Sequence, residues 1–220
     1  MNRGAARRDV FFGARDGLQF VHLLAEGSAA SDIEVHAYCL MPNHFHLILH
    51  CPNRGLSDFM RGVGSMYTRY LNHRRGADGP IFRGRFHSLS VDTPEYLDRA
   101  ARYVHRNPIE LNRPEPIDRY RWSSYGAYVG TRRPPSWLHV QRLSGYHGGP
   151  SGYRTFVEGD VAGDTCAGFD WAIDTAIAEC DDETISRMPH VRRALTVAMF
   201  DRADDRSRPV LEQMLGFASV

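Results

Sequence analysis

Two histidines stand one residue apart in the run Met41-Pro42-Asn43-His44-Phe45-His46-Leu47-Ile48-Leu49-His50. Side chains alternate along a β-strand, so His44 and His46 share one face while Phe45, Leu47 and Leu49 point the other way into a core. Two imidazoles about 7 Å apart at the backbone can converge on one metal ion. Two solvent-facing histidines on a half-buried strand would give the same pattern, and metal hydrolases of several folds use it too. Further along, Tyr103 and Asn107 are spaced i, i+4 and project from neighbouring positions on one helical face. A tyrosine nucleophile beside an amide metal ligand is one use of that pair. A tyrosine covering the edge of a core, with an asparagine closing a helix before Pro108, is the other. Tyr67 and Tyr70 are rival nucleophiles, but neither has a carboxylate, amide or histidine four residues on.

These residues need elements to hold them. Leu18, Phe20, Val21, Leu24 and Ala25 recur at helical spacing and predict an amphipathic helix over 16–25, ended by the small and polar stretch 27–32. The β-rich runs 33–40 and 45–51 flank Pro42 and Asn43, whose turn chemistry makes them a hairpin carrying the two histidines. Leu56, Phe59, Met60, Val63, Met66, Tyr67, Tyr70 and Leu71 predict a long second helix over 56–72, with Gly62 and Gly64 weakening its middle. A strand is expected over 81–91. Thr93 followed by Pro94 and Glu95 starts a third helix, Leu97, Ala100, Ala101 and Val104 form its buried stripe, and Pro108 stops it. Tyr103 and Asn107 lie beside that stripe.

Composition narrows the class. With 42% hydrophobic and 24% charged residues the chain is globular in type. No apolar run approaches the roughly 18–20 residues of a membrane span, and Arg15 and Asp16 break the apolar start before a signal-peptide core could form. Cys39, Cys51, Cys166 and Cys180 form no CxxC pair, so a cytoplasmic protein without disulfides is expected. All 27 basic residues are arginine, a bias that a GC-rich genome produces as readily as phosphate binding does. Residues 1–135 hold 19 of them against 13 acids, whereas residues 136–220 hold 8 against 13. The first part is therefore the candidate anion binder. The proline-rich stretch at 131–135 marks the expected boundary between a working domain, 1–135, and a C-terminal extension, 136–220.

Four phrases in order bring a resemblance. They are the 41–49 run, Pro80-Ile81-Phe82-Arg83-Gly84-Arg85-Phe86, Tyr103-Val104-His105-Arg106-Asn107-Pro108, and Trp122-Ser123-Ser124-Tyr125. Together they resemble the REP-associated tyrosine transposases of the HUH single-strand transposase superfamily, from about residue 2 to 130. The resemblance implies an α+β fold with a ferredoxin-like antiparallel sheet and packed helices. It also implies His44 and His46 as the metal pair, Asn107 as the third protein ligand, Mg²⁺ or Mn²⁺ as the ion, and Tyr103 as nucleophile. A tyrosine has an unperturbed pKa of about 10, so a cation beside the scissile phosphate complements it. Attack on DNA would leave a 5′-phosphotyrosine and a free 3′-OH, which conserves the bond for strand transfer. The partner implied is single-stranded or hairpin DNA, bound by a monomer or homodimer. Arg83, Arg85, Arg102 and Arg106 are candidate phosphate contacts, with a solvated-surface or core role as the alternative for each.

Members of that family carry more residues ahead of the Asn2-Arg3-Gly4 phrase, and these build the first strand. A shortened first strand, with unpaired backbone in the sheet, is therefore expected, and a longer N-terminus should be more stable and more active. Helical patterns over 191–200 and 210–215 resemble the first part of a helix-turn-helix without a reading helix after it. The extension is thus expected to be mainly helical and without a role in DNA recognition. A DNA-binding protein of the same fold with impaired catalysis is the alternative function. A barrel-type metal hydrolase lacks the further ligands it would need.

Overall fold

A computed structural model describes residues 1–53, 55–159 and the backbone of 195–198. The hairpin forms as the alternation predicts: β2 (Glu34–Met41) and β3 (His44–His50) pair antiparallel around a turn at Pro42 and Asn43. The turn's carbonyls are used, because Val10 and Phe11 donate their N–H groups to Pro42 O at 2.8 and 3.0 Å and Gly4 donates to Asn43 O at 2.8 Å. β3 is the central strand. One of its edges takes β2; the other takes β1 (Asn2–Arg3) at His44 and Phe45, and β5 (Leu195–Ala198) over Leu47–His50. β4 (Leu89–Val91) pairs outside β5, and these strand pairs are all antiparallel.

Alternation sorts β3 between two cores. Phe45, Leu47 and Leu49 pack with Phe20 and Leu24 of α1 (Ala14–Ala29) and Phe59, Val63 and Tyr67 of α2 (Leu56–Arg75). Ile48, with Ala37, Cys39 and Met41 of β2, faces Leu97, Ala100, Ala101 and Val104 of α3 (Pro94–Arg106). Two helices thus cover one face, and the helix bearing Tyr103 covers the other. The chain order β1-α1-β2-β3-α2-β4 and the antiparallel pairing are those of the expected ferredoxin-like α+β sheet. α2 runs unbroken through Gly62 and Gly64, because a buried stripe outweighs roughly 1 kcal/mol of lost propensity per glycine. In α3, Thr93 Oγ1 accepts from Tyr96 N at 3.2 Å and Pro94 sits at the first turn, as the sequence signals.

Three expectations change. The strand over 81–91 is confined to β4; the part before it is irregular, held by Ala5 N donating to Ile81 O at 2.8 Å, Arg83 N to Arg3 O at 2.9 Å, and a two-way exchange between Met1 and His87. Pro80 and Gly84 disfavour a continuous ladder there. The helical pattern over 191–200 contains β5 instead: open β3 and β4 edges supply backbone partners that outweigh a short stretch's helical periodicity. The pattern over 210–215 lies outside the described residues. Finally, the chain passes the expected boundary at 135 without leaving the core. Trp137 stacks on Tyr38, and Leu143 of α5 (Gln141–Ser144) and Tyr153 and Val157 of α6 (Pro150–Glu158) are buried in the same cluster as α3.

The Trp122–Tyr125 phrase explains how these parts join. Leu40 N donates to Trp122 O at 2.8 Å, Ser124 N to Tyr38 O at 2.9 Å, and Tyr38 N to Ser124 Oγ at 2.9 Å, so the phrase closes the outer edge of β2. A Cβ at Gly17 would stand 2.5 Å from the Trp122 ring, so glycine is what lets α1 approach that indole. Tyr125 begins the short helix α4 (Tyr125–Tyr128).

His105 locks α3 to both neighbours. Its Nδ1 lies 2.8 Å from the Tyr153 hydroxyl and its Nε2 2.8 Å from Ser124 Oγ, among the rings of Tyr125 and Tyr128. Burial pushes its pKa down to about 3 from an ordinary 6.5. Between those values the unfolded chain takes up a proton that the folded chain refuses, so stability is full above pH 6.5 and falls as the pH drops toward 3. From pH 7 to 4.5 this one group should cost about 3 kcal/mol. Urea unfolding of the unmodified protein and His105→Gln at both pH values checks it: the variant should lose less on acidification, and equal losses would contradict a neutral, buried His105.

Candidate active site

The side chains singled out by chemistry meet. The rings of His44 and His46 are edge-on with centroids 4.8 Å apart, and Tyr103 from α3 sets its ring against His46 at 5.2 Å, again edge-on. Asn107, one turn after Tyr103, donates from Nδ2 to Tyr103 O at 3.0 Å and keeps its amide beside the histidines. Pro108 is what places it: α3 gives way at Asn107 to a 3-10 turn (Asn107–Leu111). All four side chains are buried, with exposures of 7% for His44, 1% for His46, 8% for Tyr103 and 2% for Asn107.

The polar atoms of the cluster are not used up by the protein. Both ring nitrogens of His46 and Oδ1 of Asn107 are buried with no hydrogen-bond partner among the described residues. Leaving such groups unpaired costs about 1–3 kcal/mol each. His44 is oriented from the turn, its Nδ1 2.6 Å from Asn43 Oδ1. Burial, reinforced by the positive Arg3 and partly opposed by the Asn107 amide, pushes the His44 pKa down to about 3. Burial, then His44, the Met1 ammonium and Arg3, hold His46 well below the usual range. Both imidazoles are therefore neutral at neutral pH, with lone pairs available to a cation. Two imidazole nitrogens and an amide oxygen suit a divalent ion bound without net ligand charge.

Tyr67 and Tyr70 belong to α2, on the opposite face of the sheet. Tyr67 is fully buried and donates its hydroxyl to Val10 O at 2.6 Å; the Tyr70 hydroxyl lies 3.3 Å from Asp16 Oδ1. Neither touches the histidine pair.

The four arginines divide. Arg83 and Arg85 are exposed on the irregular 80–86 segment and, with Arg61 and Arg69 of α2, line a cleft of about 730 Å³ beside Asn2. Arg102 and Arg106 are engaged elsewhere. Arg102 is buried and donates from Nη2 to Gly159 O at 2.6 Å, and Arg106 donates from Nη1 to Val157 O at 2.9 Å. They cap the C-terminal end of α6, where open carbonyls favour cations. Sequence reasoning passed over Arg3, which β1 places directly opposite His44, and Asn43, which orients it. The signal for both was their closeness to the hairpin in a paired sheet.

Residues 1–107 match the model of a family described as "Transposase IS200 like", so the fold and the clustered site stand on the part of the chain that carries this family's pattern. A solved structure of a REP-associated tyrosine transposase bound to a REP hairpin shares the fold, with a TM-score of 0.50 and 16% identity over 63% of this chain and 81% of the other. No curated protein matches the chain. The match takes in the first two of the four phrases and the third as far as Asn107. Among the described residues no helix is long and apolar enough to cross a membrane.

Proposed function

We propose that this chain cuts and rejoins single-stranded DNA at a hairpin through a covalent bond to Tyr103, with His44, His46 and Asn107 holding Mg²⁺ or Mn²⁺. The observation that carries it is the cluster itself: a tyrosine ring against His46, His44 edge-on to that same imidazole and the Asn107 amide beside them, with both His46 nitrogens and Asn107 Oδ1 buried and unpaired among the described residues. The bound ion would polarise the scissile phosphate and offset charge building on its oxygens. Tyr103 Oη bonds to phosphorus as the bond to the 3′ oxygen breaks; the phenol proton passes to water, and the leaving oxygen takes one up as a 3′-OH. Arg3 adds positive charge at the His44 end of the cluster. Arg83 and Arg85, together with Arg61 and Arg69, give the strand a basic cleft next to β1.

The test uses the 220-residue chain and a single-stranded oligonucleotide with a hairpin, incubated with Mg²⁺ or Mn²⁺ and with EDTA. A protein–DNA adduct that survives denaturing gels should form only with metal. Adduct formation undiminished in EDTA would refute the metal role. Tight hairpin binding with no adduct under any metal would identify a catalytically impaired DNA-binding protein instead.

A further inference from the structure

A second group of metal-ligating side chains lies at the far end of the same hairpin. Glu34 of β2 and His50 of β3 are directly opposite each other in the antiparallel register. An irregularity between Val35 and Ala37 inserts one extra residue, His36, into β2, and such bulges re-aim side chains. His36 Nε2 lies 3.0 Å and His50 Nδ1 3.1 Å from the same oxygen, Glu34 Oε2. One donor atom from each residue falls within 4.8 Å of the others. Four ligands about 2.0–2.1 Å from a tetrahedral zinc ion stand roughly 3.3–3.4 Å apart, so the gathered donors need only small movements.

Hydrogen bonds do not account for the whole group. His36 is 2% exposed, and its Nδ1 is buried with no partner among the described residues. Its ring stands 5.8 Å from that of His139 and 6.1 Å from that of His50. Backbone pairing brings His139 there: its N–H donates to Val35 O at 2.9 Å, and Leu138 bridges Val35. Glu34 remains partly exposed, with 38% of its side chain accessible, which leaves an entry path. Arg142, an exposed cation, also acts on His36, but the Glu34 carboxylate opposes its charge at the donors.

We infer that Glu34, His36 and His50 form a second metal site, selective for a zinc-like divalent ion and completed by His139 or water. Two imidazoles with one carboxylate favour such an ion over Mg²⁺, which prefers oxygen ligands and keeps its water. His46 and His50 are four residues apart on β3, or roughly 13 Å, so the two sites are separate. With His139 as the fourth ligand, the ion would fasten the 137–140 segment to the hairpin and hold the C-terminal helices onto the core. The inference does not rest on DNA cleavage.

The experiment measures zinc uptake by the full chain carrying His46→Ala, with and without Glu34→Gln, His50→Ala or both. Expected results are one more zinc equivalent retained after gel filtration when Glu34 and His50 are intact, and affinity weakened about 100-fold or more in either single variant. Zinc should raise the melting temperature only with that site intact. Millimolar Mg²⁺ should not displace the ion. Metal-free melting of each variant, compared with His46→Ala alone, shows whether the fold survives. If the double variant does not fold, Glu34→Gln decides, because glutamine preserves a hydrogen-bond acceptor while removing the charge. Equal zinc retention with and without Glu34→Gln, or displacement by Mg²⁺, would overturn the proposal.

Discussion

Tyr103→Phe is expected to abolish the covalent adduct and reduce strand cleavage by on the order of 10⁴-fold or more, since no other group takes over a removed nucleophile. Phenylalanine keeps the ring that packs edge-on against His46, so folding and hairpin affinity should stay close to those of the unmodified protein. Tyr67→Phe and Tyr70→Phe should cleave normally, because their hydroxyls lie on the other face of the sheet. Tyr67→Phe should nonetheless be less stable, since it leaves Val10 O without its hydroxyl donor. Denaturing gels of the three variants with a labelled hairpin oligonucleotide make the comparison. A persistent adduct in Tyr103→Phe would remove this residue from the mechanism.

The second large effect concerns the histidine pair. His46→Ala and His44→Ala should each remove metal-dependent cleavage, by on the order of 10³-fold, because a lone imidazole cannot hold the ion in place. Asn107→Ala should cost less and raise the metal concentration needed for half-maximal rate, since water can replace a neutral amide oxygen. Cleavage titrated with Mg²⁺ and Mn²⁺ measures all three. Melting in EDTA provides a second readout for His46, whose ring is buried with both nitrogens unpaired among the described residues. Its removal creates a cavity but also relieves those nitrogens, so the metal-free protein should lose less than the 3–5 kcal/mol typical of a large buried aromatic. Full cleavage by His46→Ala would contradict the metal assignment.

Particular residues show what a one-dimensional pattern can carry. The alternation at 44–49 separates the histidines from Phe45, Leu47 and Leu49, and the folded chain keeps that separation because strand geometry is local. The Thr93-Pro94 start and the Pro108 stop are local as well, and they bring Tyr103 and Asn107 onto one turn. Arg102 and Arg106 read as candidate phosphate contacts because residue type shows a cation without showing what covers it. That cover, the carbonyl end of α6, comes from residues some fifty positions later. Likewise the Glu34–His36–His50 group depends on a one-residue irregularity in β2, which shifts side chains between faces without leaving a mark in residue type.

By itself, then, the sequence determined the hairpin, the three long helices, the stretch over 1–107 that matches the IS200-like transposase family, and the residues of the proposed metal-and-tyrosine site. These follow from periodicity, caps and turns, each set by neighbours within a few positions. Only the tertiary structure decided that residues 137–158 share the core with α3, that Leu195–Ala198 pairs with β3 and β4, and that Arg3 stands opposite His44. It also decided which arginines remain on the cleft. Those outcomes depend on which distant backbone edges and carbonyls need partners, and such needs are met by long-range hydrogen bonds and burial rather than by local spacing.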